Sequence, residues 1–162
     1  MIWLDLVTSI VVVLSEQRLY ATLESGEQVI YVVSTGADTT PTPVMSTQID
    51  RKYEVVTLIG DGYRIPDVPW VMCPLENPEH CIHPNTTNTP VGEPASLGCV
   101  RMNEEDAKWL FERTDVGTTF AVIEYDGVQE PNSEEEDSTE GGSLSPSEET
   151  QGAIDWLQGG EV

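Results

Sequence analysis

The run Ser9-Ile10-Val11-Val12-Val13-Leu14 limits the possible folds more than any other stretch of this chain. Four consecutive β-branched residues bounded by polar ones make a buried strand, since such side chains fit a pleated surface better than a helix. Arg18-Leu19-Tyr20-Ala21-Thr22-Leu23 is a second strand, Glu24 to Glu27 forms a turn, and Gln28 to Val33 is a third strand. The chain therefore opens as a meander of hairpin-linked strands.

Downstream, the loop from Gly36 to Pro43 is closed to regular ladder pairing by Pro41 and Pro43. Tyr53 to Ile59 reads as a strand, Gly60-Asp61-Gly62 as a turn, and Trp70-Val71-Met72 as a further strand after a segment punctuated by Pro66 and Pro69. From Cys73 to Gly98, five prolines predict an ordered loop with one short strand at Cys81-Ile82-His83. A loop of that length inside a compact domain usually has a function. One helix is expected, N-capped by Asn103, with acids at 104, 105 and 106 in its first turn, an apolar stripe of Ala107, Leu110 and Phe111, and Gly117 closing it. Thr118 to Ile123 is the last strand. The fold class is mainly β with one short helix, and residues 1–126 form one domain.

Charge separates that domain from the C-terminal residues. The 162 residues carry 29 acids against 7 Lys and Arg, a formal −22. Residues 127–162 hold ten of those acids and no base, in a Glu-, Ser- and Gly-rich composition that reads as a disordered acidic tail with one small apolar island, Ala153 to Leu157. Too few bases are present to neutralise a run of phosphates, so no nucleic-acid partner is expected. No stretch approaches the ~18 apolar residues of a membrane span, and the chain as given shows no signal peptide.

The candidate chemistry lies at Cys81-Ile82-His83-Pro84 and Ser96-Leu97-Gly98-Cys99-Val100-Arg101-Met102. A cysteine after a glycine in a tight turn, just before a helix, is placed as a nucleophile. N–H groups around Gly98 and Cys99 would stabilise an oxyanion, and the nearby helix start together with a paired imidazole would favour thiolate. His83 is the partner, 16 positions upstream. Three other readings stand beside this one. Cys99 is a buried structural thiol; Cys73, His80, Cys81, His83 and Cys99 are the atoms of a zinc site; or Cys73 and Cys81 form a disulfide, leaving one thiol of the three.

These motifs resemble the L,D-transpeptidase catalytic domain of the YkuD type, whose pattern is a His, a loop, then Ser-x-Gly-Cys-x-Arg/Asn. Gln17-Arg18-Leu19-Tyr20, Ser34-Thr35-Gly36 and Thr42-Pro43 are similar to that family's opening, and the resemblance runs from Ser9 to Tyr125. It implies an L,D-transpeptidase-like β-sandwich in which Cys99 is the nucleophile and His83 the general base and acid. Ser96, Leu97 and Gly98 would shape the oxyanion turn, and Arg101 would face the substrate. Departures are Leu97 where the family often has a second His, Pro84 after the catalytic His, Val44-Met45-Ser46 where a Gly is expected, and Glu79-His80-Cys81 in place of Gly and Tyr. They bear on substrate preference. The implied activity is cleavage of the diaminopimelate–D-Ala bond of peptidoglycan stem peptides through a Cys99 thioacyl-enzyme, giving 3→3 crosslinks. An L,D-carboxypeptidase acting on the same bond and an inert cell-wall-binding module are the alternatives. No cofactor or metal is expected, and a monomer is. The implied location is cell wall or periplasm. The missing export signal leaves a mature or truncated chain, a phage-encoded one or a cytoplasmic one open.

Overall fold

The computed structural model describes residues 3–126; the acidic tail and its apolar island lie outside the described residues. Eight strands and one helix run in the order β1 (Val7–Val13), β2 (Arg18–Leu23), β3 (Gln28–Ser34), β4 (Met45–Gly60), β5 (Tyr63–Pro74), β6 (Ile82–Pro84), β7 (Val100–Met102), α1 (Glu104–Arg113) and β8 (Thr119–Ile123). The expected sandwich is closed at both edges. β3 pairs with β2 in one sheet and β7 in the other, and β4 pairs with β8 in one and β5 in the other. The strands thus form a closed barrel in the order β1-β2-β3-β7-β6-β5-β4-β8.

The β-branched run of Ile10 to Val13 lies in the most enclosed strand. β1 pairs antiparallel with β2 and parallel with β8. Ile10 and Val12 point into the main core, while Val11 and Val13 pack with Tyr20 on the opposite face. Burial on both faces is why the residues do not alternate in polarity.

Two expectations are corrected in β4 and β5. β4 begins at Met45, well before Tyr53, and β5 continues through Pro66 and Pro69. Val56 pairs with Val68 and Leu58 with Ile65, so Thr57 faces two residues, Pro66 and Asp67. Such a bulge leaves a residue outside the ladder, where a proline's missing N–H costs nothing. β7 is a further strand that no local pattern announces; it sits between the cysteine turn and the helix.

α1 buries the predicted stripe of Ala107, Leu110 and Phe111. Asn103 holds the N-cap position without a side-chain cap bond, and the helix ends at Thr114 rather than Gly117. The C-terminus is closed from β4: Lys52 Nζ donates to the carbonyls of Phe111 and Thr114 and lies 4.2 Å from the centre of the Phe111 ring. A cation there also meets the negative end of the helix dipole. Lys52→Met should therefore cost about 1.5–3 kcal/mol, the range for a hydrogen bond to a charged group, read as a lower urea midpoint at unchanged slope.

Candidate active site

β6 and β7 run parallel and adjacent, with Ile82 opposite Val100, His83 opposite Arg101 and Pro84 opposite Met102. Side chains alternate across a strand, so Ile82, Val100 and Met102 enter the core. The intervening residues Cys81, His83, Cys99 and Arg101 share the other face. His83 and Cys99 both line one cavity of about 60 Å³, together with Tyr63, Ile65, Ser96, Leu97 and Arg101. All six candidate residues from the sequence are thereby close together, since Gly98 lies within the same turn.

The turn carrying Cys99 is held by buried hydroxyls. Ser96 Oγ donates to the Cys99 carbonyl at 2.6 Å and accepts the Gly98 N–H at 3.0 Å. Thr42 Oγ1 donates to the Gly98 carbonyl at 2.7 Å and accepts the Gly36 N–H at 2.9 Å. The Thr35 carbonyl accepts the N–H groups of Ala95 and Ser96. Thr35 is in turn clamped by the buried Gln17 side chain, which accepts the Thr35 N–H and donates to its Oγ1. The Gln17, Thr35 and Thr42 motifs of the chain's opening thus reach the cysteine turn through hydrogen bonds. Gly36 is required for this approach, because a Cβ there would lie 2.0 Å from the Thr40 carbonyl oxygen.

One part of the oxyanion expectation is corrected. The Gly98 N–H is already committed to Ser96, so the pair of free N–H groups expected at Gly98 and Cys99 is reduced to that of Cys99. Leu97 is 55% exposed at the rim.

His83 is 3% exposed, and its Nδ1 lies 2.7 Å from the Pro84 carbonyl oxygen. A carbonyl only accepts, so Nδ1 carries the proton and Nε2 presents a lone pair. Burial lowers the His83 pKa to about 4, against a partial counter-effect from the Pro84 carbonyl and with a further lowering by Arg101. Cys99 is 8% exposed, and burial pushes its thiol pKa up, although the Cys81 N–H and Arg101 pull the other way. Its Sγ donates to the Glu79 carbonyl at 3.5 Å. The expectation that a helix start favours thiolate is overturned: β7 separates Cys99 from α1, and desolvation dominates. At neutral pH both groups rest uncharged.

Arg101 Nε is buried without a hydrogen-bond partner. A guanidinium left unsatisfied beside a cavity is suited to receive an acceptor from outside. The zinc reading loses two of its sulfurs, because Cys73 and Cys81 are joined in a disulfide and Cys99 is the free thiol. Among the described residues no three His, Cys, Asp or Glu side chains gather as metal ligands would.

Sequence reasoning missed Tyr63 and Glu79. Tyr63 lines the small cavity and also a larger one of about 260 Å³, which Cys99 lines together with Glu79, Arg51 and Tyr53. Its ring folds back over Gly60, a contact between hairpin ends that leaves no mark in the local sequence. Glu79 acts through its backbone carbonyl, which carries no side-chain signal.

A family model for the L,D-transpeptidase catalytic domain matches residues 8–123, and the chain belongs to that family. Among solved structures, an L,D-transpeptidase from Mycobacterium tuberculosis H37Rv is similar at 23% identity and a TM-score of 0.66, covering 72% of this chain and 57% of that one. One from Stackebrandtia nassauensis is 28% identical with a TM-score of 0.59, covering 71% and 54%. One from Enterococcus faecium is 25% identical with a TM-score of 0.65, covering 72% and 50%. The matched region thus spans little more than half of these proteins. No curated protein sequence matches the chain. No helix among the described residues is long and apolar enough to cross a membrane.

Proposed function

We propose that this domain is a peptidoglycan L,D-transpeptidase working through a thioacyl-enzyme on Cys99. The observation that carries the reading is the shared face of β6 and β7, which opens Cys99 and an Nδ1-anchored His83 into one cavity. Cys99 Sγ attacks the carbonyl between the L-centre of diaminopimelate and D-Ala, and His83 Nε2 takes the thiol proton. Both groups start neutral, so proton transfer accompanies attack rather than preceding it. The Cys99 N–H receives the oxyanion, while Arg101 takes an acceptor group of the stem peptide. The imidazolium then returns the proton to the departing D-Ala amine.

An amine from a second stem resolves the acyl-enzyme as a 3→3 crosslink, approaching through the larger cavity beside Glu79. Water in its place gives a trimmed stem and makes the protein a carboxypeptidase. The substrate puts the work outside the cytoplasmic membrane, and the Cys73–Cys81 disulfide supports an oxidising compartment.

The test is intact mass after incubation with a carbapenem, an acylating probe, and then assay on tetrapeptide stems. One adduct per chain is expected, and none in Cys99→Ala. An adduct that survives in that variant, or stem processing unchanged by it, would sink the reading. A folded parent that takes no adduct favours the inert binding module.

A further inference from the structure

The three cysteines stand in one row: Cys73 in β5, Cys81 just before β6 and Cys99 just before β7. Met72 pairs with Ile82 between antiparallel β5 and β6, which puts Cys73 opposite Cys81. Ile82 pairs with Val100 between parallel β6 and β7, which puts Cys81 beside Cys99. All three belong to one apolar cluster with Val68 and Val71, and all three line the larger cavity. The Cys99 thiol also faces the Cys81 N–H. Neighbouring strands lie about 4.8 Å apart, inside the Cα window that a disulfide spans.

Cys81, in the middle, is therefore placed to bond to either neighbour. We propose that Cys81 is a covalent partner of Cys99, so that the nucleophile is locked by exchange with the adjacent disulfide. The Cys99 thiol gives up its proton, and its thiolate attacks Cys81 Sγ. The Cys73–Cys81 bond breaks, a Cys81–Cys99 bond forms, and Cys73 leaves as thiolate and takes a proton. One disulfide and one thiol enter and one of each leaves, so no oxidant or reductant is consumed. Attack on Cys73 is disfavoured, because two strand spacings separate it from Cys99. Return attack by Cys73 on Cys81 frees Cys99 again.

The open form is held kinetically, because burial keeps Cys99 protonated and attack on Cys81 needs the thiolate. Raising the pH promotes exchange. In the locked form the nucleophile is a disulfide sulfur, which is shielded from the irreversible steps of thiol oxidation.

The experiment incubates the full chain, without thiol or oxidant, from neutral pH to about pH 8.5, where a free thiol is half ionised. Samples are trapped in acid denaturant with N-ethylmaleimide. Chymotryptic cleavage after Trp70, Leu75, Leu97 and Trp109 puts the three cysteines on separate peptides. A growing share of label should move from Cys99 to Cys73 as pH rises, with the Cys81 peptide changing partner from Cys73 to Cys99. In Cys73→Ser, oxidised glutathione should join Cys81 to Cys99 and abolish the carbapenem adduct, and reduction should restore it. Label confined to Cys99 at every pH overturns the proposal, as does separate glutathione capping of Cys81 and Cys99. The mapping reads which sulfurs are joined, so its result is independent of whether stem peptides are turned over.

Discussion

Replacing His83 with glutamine lowers the rate of Cys99 acylation by about 10²–10⁴-fold, the usual contribution of a positioned general base. The glutamine amide can still donate to the Pro84 carbonyl, so the turn survives while the lone pair at Nε2 is gone. The parent's acylation rate should stay flat through neutrality, because the reactive pair, a protonated Cys99 beside a neutral His83, is the resting form there. It should show no step near pH 6.5, because His83 does not protonate there. Acylation of the variant at the parent rate would remove His83 from the proton path.

The same residue has a stability signature. The unfolded chain protonates His83 near pH 6.5, whereas the folded chain holds it neutral down to about pH 4. Between those values the unfolded state binds one proton more, so stability falls as pH falls through that window and levels off below it. The loss amounts to about 3 kcal/mol for a shift of that size. His83→Gln should lack this part of the acid dependence, measured as the difference between the two unfolding-versus-pH curves.

Gly98→Ala is the second large effect. Gly98 has φ +130, a region that L side chains rarely adopt, and an added Cβ would lie 2.8 Å from His80 Cδ2. Its carbonyl and N–H are both held, by Thr42 and Ser96, so the turn cannot relax without moving Cys99. A loss of about 1–3 kcal/mol is expected from the strained backbone, seen as a lower melting temperature. Carbapenem acylation should fall further than the stability loss explains, since a misplacement of about 1 Å can cost 10²-fold. Combining it with His80→Ala relieves the contact but not the φ, so recovery should be partial. Full recovery would assign the whole effect to the clash.

Sequence range decides how much of this molecule is legible before folding. The β1–β3 meander and the α1 stripe are local patterns, and both appear nearly where the residues put them. The Ser96–Arg101 motif and His83 are legible through their resemblance to a family pattern, whereas the strand pairing that gives them one face leaves no local mark. The path of β4 and β5 is hidden, because Pro66 and Pro69 look like strand breakers, yet a bulge in β5 takes up Pro66 while Pro69 keeps its place opposite Val55. The ionisation of Cys99 is hidden for a different reason. A motif carries no measure of burial, and desolvation outweighs the nearby helix. The cysteine pairing stays open until strand register places Cys73 opposite Cys81.

The parallel pairing of β1 with β8 sets the order in which this barrel can assemble. Residues 9–13 must wait for residues 119–123, so the closing contact joins opposite ends of the described chain. Long-range strand pairing is slow, and all-β domains of high contact order fold in about milliseconds to seconds. During synthesis, β1 and β4 present bare edges until β8 emerges to fill the gap between them. A chain stopped before Thr119 would keep the β6–β7 motif in its sequence, yet expose two strand edges prone to aggregation.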